Sequence, residues 1–172
     1  VFAATTADAT LVRRAMQGFD ARDPYSRAFR PRPLPLGGFR FGVLAGAERA
    51  FYGDAEVEAL YDAAIARLAT LGGTPVPIDY APFRASAELL YGGPWVAERL
   101  AAIEDFYATR AADMDPTVAA IVGGAKRFSA VDAFNGAYAL EALRQKTDAE
   151  WAKVALLLLP TAPTIYTVEA MR

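Results

Sequence analysis

The sequence predicts an α/β fold with about three mostly parallel strands and about six helices. Three observations carry this. A strand at Phe39–Leu44, a helical period from Asp54 to Leu71 and a second strand at Pro75–Tyr80 fill about 40 residues, the length of one strand–helix–strand unit with parallel strands and a right-handed crossover. The unbroken apolar run Val154-Ala155-Leu156-Leu157-Leu158-Leu159 suits a strand buried on both faces. Between them, segments of helical period end on glycine pairs.

Taken in order, Thr5 or Thr6 caps a first helix that runs to about Gln17, with Gly18 as its stop. Residues 19–38 form a loop carrying Arg22, Arg27, Arg30 and Arg32 among Pro24, Pro31, Pro33 and Pro35. Such a cluster reads either as a phosphate-binding arm or as a solvated surface loop; with only Tyr25 and Phe29 interleaved, the second is favoured. Asp54 caps the helix of the strand–helix–strand unit, where Val57, Leu60, Tyr61, Ala64 and Leu68 hold the period and Gly72-Gly73 close it. Pro82 opens a helix ending at Tyr91. Gly92-Gly93 end it in a left-handed turn, and Pro94 begins one further helix through Arg110. Asp115-Pro116 start a helix of about two turns closed by Gly123-Gly124. Ser129-Ala130-Val131-Asp132 has the form of a capping box, followed by a long helix toward Lys153. The last strand ends at Pro160-Thr161-Ala162-Pro163, where a parallel strand delivers its loop to the binding edge of a sheet. Three strands are few for these helices, so part of the strands' apolar surface is expected to lack cover from these residues.

Composition limits the chemistry. A chain of 172 residues with 54% hydrophobic content can bury a core, and one domain or a large piece of one is the expectation. A net charge of −2 and pI near 5.2 give no basic field for nucleic acid. No apolar run approaches the roughly 18 residues of a membrane span. Without cysteine or histidine there is no thiol nucleophile, no Ser-His-Asp triad and no thiolate or imidazole zinc site within these residues. Lys126, Lys146 and Lys153 are the lysines available as bases. Lys126 and Ser129 lie three apart, a spacing that surface residues flanking a helix show as readily as a dyad.

One residue departs from its surroundings. Wound as a single helix, the stretch after Pro94 places Trp95, Val96, Leu100, Ile103, Phe106 and Tyr107 within one apolar arc of roughly 140°. Arg99 lies inside that arc. A permanent charge with five donors needs a partner there. Either Arg99 snorkels to solvent or pairs with a carboxylate from elsewhere in the fold, or a small anionic ligand is gripped bidentately, with Tyr91 able to bring its hydroxyl to the same spot.

VFAATTADATLV, DPYSR, FGVL, LGGTPVPIDYAPF, LLYGGPWVAERLAAI, RFSAVDAFNGAYAL and ALLLLPTAPTIYTVEAM together resemble the allophanate hydrolases of the amidase signature family. The resemblance covers nearly the whole chain in family order, and LLYGGPWVAERL and LLLLPTAPTIYTV are its specific parts. It implies an α/β/α sandwich around a large mixed sheet, of which residues 1–172 are the central part of a single amidase-type domain, incomplete at both ends. It also implies a cytoplasmic serine hydrolase that cleaves C–N bonds with a Ser–cis-Ser–Lys triad, lysine acting as base through the middle serine. The implied reaction breaks allophanate down to ammonia and carbon dioxide in urea degradation, without metal or organic cofactor. A homodimer and a functional link to a biotin-dependent urea carboxylase are the implied associations; nucleic acid and membrane are not.

The family's Gly-Gly-Ser-Ser-Gly-Gly signature is absent: Gly123-Gly124 lead into Ala125 and Lys126, and no two serines are adjacent. The triad is therefore expected upstream of the residues matching Val1, no residue here is catalytic, and this segment alone is expected to be inactive. The family's substrate clamp, a tyrosine and an arginine eight residues later, falls on Tyr91 and Arg99, and the resemblance favours ligand contact for both. Thr161 and Pro163 are candidates to line the same cleft. The alternatives are another amidase signature enzyme, such as an amidotransferase subunit acting on charged tRNA, or a non-catalytic module that binds a small carboxylate.

Overall fold

The computed structural model describes residues 1–28 and 37–171, and its contacts divide the chain into two compact units, Val1–Pro35 and Leu36–Arg172. In the first unit, helix α1 (Thr6–Met16) is capped by Thr5, whose hydroxyl oxygen accepts the Asp8 N–H at 3.1 Å. The loop arginines described there are occupied locally. Arg22 makes a two-point pair with Asp20 (3.0 and 2.9 Å), and Arg27 donates to the carbonyls of Pro24 and Ser26. Phe29, Arg30, Pro31, Arg32, Pro33 and Pro35 lie outside the described residues.

The second unit holds a parallel sheet of β1 (Phe39–Val43), β2 (Gly73–Pro77) and β3 (Leu156–Leu157) in the order β2-β1-β3. Phe41 on the middle strand is fully buried. The second strand starts two residues before the expected Pro75–Tyr80 and stops three short of it. At a sheet edge Pro75 leaves no ladder bond unmade. Beyond Ile78, whose N–H still donates to the Val43 carbonyl, the backbone is claimed by other groups: the Asp79 N–H donates to Glu150, and the Asp79 carboxylate accepts the Ala81 N–H. The third strand has two residues where six were expected, although the Ala155 and Leu158 N–H groups still donate to Arg40 and Gly42 of β1 at 2.8 and 2.9 Å. Its leucines are half-buried, not covered on both faces.

Helix α2 (Ala55–Thr70) is capped by Asp54 and ends where Gly72 takes a φ of 89°, a left-handed value that a Cβ disfavours. Its Tyr61 reaches into the sheet. There the hydroxyl accepts the Leu44 N–H and donates to the Leu158 carbonyl, both at 2.9 Å, tying β1 to the chain after β3. Burial pushes the phenol above its usual pKa. Leu44, Phe51 and Tyr61 form the core cluster, with Val57, Ile65 and Leu158 packed against it.

Helices α3 (Ala81–Gly92), α4 (Trp95–Ala102), α5 (Glu104–Arg110), α6 (Pro116–Gly123) and α7 (Ala130–Trp151) complete the unit, giving seven helices among the described residues. The seventh arises because the expected single helix from Pro94 to Arg110 breaks at Ile103 (φ −132°, ψ 25°). Packing outweighs continuity: after the break Tyr107 donates its hydroxyl to the Ala119 carbonyl of α6 and lies over Gly123, where an added Cβ would sit 2.2 Å from the phenol oxygen. The arc drawn on an unbroken helix therefore does not persist, and Phe106 is exposed while Val96 is buried. Ser129 and Asp132 form the expected capping box on α7. At its other end Glu150, itself buried, binds Lys153 at 2.6 Å and the Asp79 N–H at 3.2 Å. No helix among the described residues is long and apolar enough to cross a membrane. Val131, Phe134 and Tyr138 form an exposed apolar stripe on α7.

Candidate functional site

The corner between α3 and α4 is set by glycine, but not in the expected way. Gly93 is extended (φ −103°, ψ −173°) instead of left-handed. Its lack of a side chain matters for space, because a Cβ there would lie 2.5 Å from the Leu89 carbonyl oxygen. Pro94 caps α4, and the Pro94–Trp95 step packs onto α7 at Gly136, where a Cβ would meet the proline ring at 2.6 Å and the indole at 3.0 Å. Two glycines thus bring three helices together, and the corner presents Tyr91 and Arg99 to each other.

The Arg99 guanidinium lies over the Tyr91 ring, 4.9 Å from its centroid. Such stacking holds the planar fork face-on while leaving its N–H edges open. Arg99 is half-buried and Tyr91 is 63% exposed. Among the described residues neither the Arg99 fork nor the Tyr91 hydroxyl has a hydrogen-bond partner, and no carboxylate lies within ion-pair distance of Arg99. Among the described residues the structural ion pair finds no acid to make it, while a half-buried side chain stacked on an exposed ring also fits an arginine that snorkels to solvent. A carboxylate ligand would meet an oriented guanidinium and a phenol on one surface.

Thr161 and Pro163 are elsewhere. They line a cleft of about 310 Å³ at the carboxyl ends of the three strands, together with Leu44, Glu48, Tyr52, Tyr80 and Arg84. Neither Tyr91 nor Arg99 lines that cleft. The helix α3 connects the two places: Arg84, Glu88 and Tyr91 recur at i, i+4 and i+7 on one face, so the cleft and the stacked pair lie about 10 Å apart along the axis. Glu48, Tyr52 and Arg84 drew no notice in the sequence. The available signal was positional, since Arg84 stands in the first turn of a helix entered directly from a parallel strand.

Lys126 and Ser129 do not form a dyad. The lysine ammonium sits 5.4 Å from the centroid of the Tyr107 ring, and the serine caps α7. Among the described residues no group of acidic side chains could hold a metal ion.

A parallel sheet flanked by helices, with a cleft at its carboxyl ends, defines an α/β fold. Comparison with known proteins makes this particular. The chain is 36% identical over 172 residues to urea amidolyase of Lachancea kluyveri and 33% identical over 166 residues to urea amidolyase of Saccharomyces cerevisiae, matches that take in 98% and 95% of the chain. It spans about 9% of the length of each. Among solved structures, a serine-to-alanine variant of Kluyveromyces lactis allophanate hydrolase matches with a TM-score of 0.85 at 32% identity, over 94% of this chain and 27% of that one. The K. lactis urea amidolyase matches with the same score and identity, over 10% of its length. No family model matches the chain. The chain is a homologue of a segment of the urea amidolyases and allophanate hydrolases.

Proposed function

We propose that this chain is the substrate-gripping segment of an allophanate hydrolase, an amidase signature enzyme acting in the cytoplasm, with Tyr91 and Arg99 holding the substrate carboxylate. The observation that supports this is the stacked, acid-free guanidinium of Arg99 beside a free phenol. The two fork edges suit the two carboxylate oxygens, and the Tyr91 hydroxyl supplies one more donor. A substrate held by its charged end offers its amide end to a nucleophile at a fixed distance. That nucleophile and its lysine base belong, in this reading, to chain outside these 172 residues. The products are ammonia and carbon dioxide, and the carboxylated substrate comes from a biotin-dependent urea carboxylase. A homodimer is part of the same reading. A module that binds a small carboxylate without chemistry is the second reading, supported by the same pair and by the absence of adjacent serines.

The test compares substrates in the whole enzyme. Arg99→Lys keeps the charge and loses the fork. It is expected to lower kcat/KM on allophanate roughly 30- to 1000-fold, the equivalent of about 2–4 kcal/mol, with a neutral amide barely affected. Equal losses on both substrates would make Arg99 structural and remove the clamp.

A further inference from the structure

One wall of the cleft at the carboxyl ends of the strands has few ties to the rest of the fold. That wall is the chain after β3, where Leu159, Pro160, Thr161 and Pro163 line the space. Its near end is fixed. The Leu158 N–H donates to the Gly42 carbonyl and the Leu158 carbonyl accepts the Tyr61 hydroxyl, both at 2.9 Å, and Leu159 packs against the Leu44–Phe51–Tyr61 cluster. From there through Thr164 the backbone makes no hydrogen bond to any described residue, and Pro160 and Pro163 have no N–H to give. The far end is held by one contact: the Thr164 hydroxyl donates to Asp54 Oδ2 at 2.8 Å, across 110 residues of sequence. Beyond it the bonds are local. The Ala170 N–H donates to the Thr167 hydroxyl and the Met171 N–H to the Val168 carbonyl, while Ile165, Tyr166 and Val168 are exposed.

Asp54 can take that bond because a carboxylate has two oxygens. Its Oδ1 caps α2 by accepting the Val57 N–H at 3.0 Å, and Oδ2 remains for Thr164. The acceptor follows a strained turn: Tyr52, which lines the cleft, has a φ of 53° and Gly53 one of 86°. A non-glycine residue in the left-handed region costs energy and persists only where the surrounding structure holds it. We propose that residues 160–164 form a movable strap along the cleft, hinged at Leu159 and latched by Thr164 on Asp54, and that release of this one hydrogen bond opens the cleft. The device rests on no assignment of what the cleft binds, nor on the function proposed for Tyr91 and Arg99.

The chain has no cysteine, so spin labels attached through Ala47→Cys and Ala162→Cys would stand alone. Both positions are exposed, Ala47 on the cleft and Ala162 on the strap, and the distance between the labels reports the opening. With the latch intact, double electron–electron resonance should give a single distance. Thr164→Val keeps the shape and removes the donor. It should raise the open-to-closed ratio roughly 10- to 100-fold, the size of one hydrogen bond to a charged group, and so add a longer distance. Thr164→Ser keeps the hydroxyl and should keep the single distance. Asp54→Asn retains one oxygen for the α2 cap and loses the second acceptor, so it should open the cleft as Thr164→Val does. Helix content by circular dichroism should stay unchanged in both. An unshifted single distance in folded Thr164→Val or Asp54→Asn, or the same opening in Thr164→Ser, would overturn the proposal. So would a long distance already dominant with the latch intact, or a loss of helix content in both opening variants, which would make the bond a support of α2 and not a latch.

Discussion

The sheet and the α3–α4 corner treat their polar groups in opposite ways. At the sheet, Tyr61 is satisfied twice, and Arg49 binds Asp62 at 2.9 Å and Glu58 at 3.3 Å while lying over the rings of Phe51 and Tyr61. At the corner, Arg99 has an aromatic ring and no acid. Polar groups that hold a fold together are saturated by it, whereas groups meant for a ligand are oriented and left open. Substitutions at the sheet should therefore register as stability. Those at the corner should register as binding.

The largest expected effect is Tyr61→Ala. It removes a buried ring and strands the Leu44 N–H, and should cost about 3–5 kcal/mol in denaturant unfolding. Tyr61→Phe keeps the ring and should cost about 1–3 kcal/mol through the unpaired Leu44 N–H and Leu158 carbonyl. A null result would mean that water replaces the hydroxyl and that the sheet is less closed than its geometry indicates. Next comes Gly93→Ala, which forces the corner open and should cost about 1–3 kcal/mol by overpacking. It should also abolish acetate binding, read as shifts of the Tyr91 and Arg99 backbone amide signals in ¹⁵N-labelled protein, whereas Tyr61→Phe should leave that binding in place.

Tyr91→Phe sharpens the contrast from the other side. Its exposed hydroxyl has no protein partner, so stability should change by less than about 0.5 kcal/mol, while carboxylate binding should weaken by about 1–2 kcal/mol in titration calorimetry. A large loss of stability would place Tyr91 with the structural group. The smallest effect concerns acid. Asp54 is held below its ordinary 3.8 first by the Val57 N–H and then by the Thr164 hydroxyl, and Asp132 by the Ser129 hydroxyl and N–H. A depressed folded pKa stabilises above the unfolded value and is lost as pH falls through the folded one. Thermal midpoints should thus be insensitive to these groups above pH 3.8 and decline below it. Asp54→Asn should shrink that decline without touching the corner.

How much of this was legible depended on whether a residue's role is local. Caps and stops are local: Thr5, Asp54, Asp115 and Ser129 all cap where the sequence placed them. The parallel pairing of β1 and β2 followed from spacing. Strand ends were less legible, because Glu150, 71 residues from Asp79 in sequence, decides where the backbone after β2 stops pairing. The break at Ile103 was hidden for the same reason, since Tyr107 and Gly123 meet only in the fold. Arg99 stood out on a helical arc that turned out to be discontinuous, yet it and Val96 lie before the break, where the arc still holds. Tyr61 passed as one more apolar residue of α2. Its being tyrosine and not phenylalanine was the clue that its hydroxyl had buried partners.

The break at Ile103 has one more consequence. It ends α4 after eight residues and so puts Arg99 in the last turn, where aligned peptide groups leave the helix terminus partly negative. The guanidinium is thereby steadied by a fractional backbone charge with no side-chain acid to hold it. In the proposed clamp, an arriving carboxylate would have no side-chain acid to displace. Had the chain run on as one helix to Arg110, that negative end would stand about 12 Å further along. Arg99 would then sit just past the first turn of a longer helix, away from its negative end, and a neighbouring acid would have been the simplest way to keep it there.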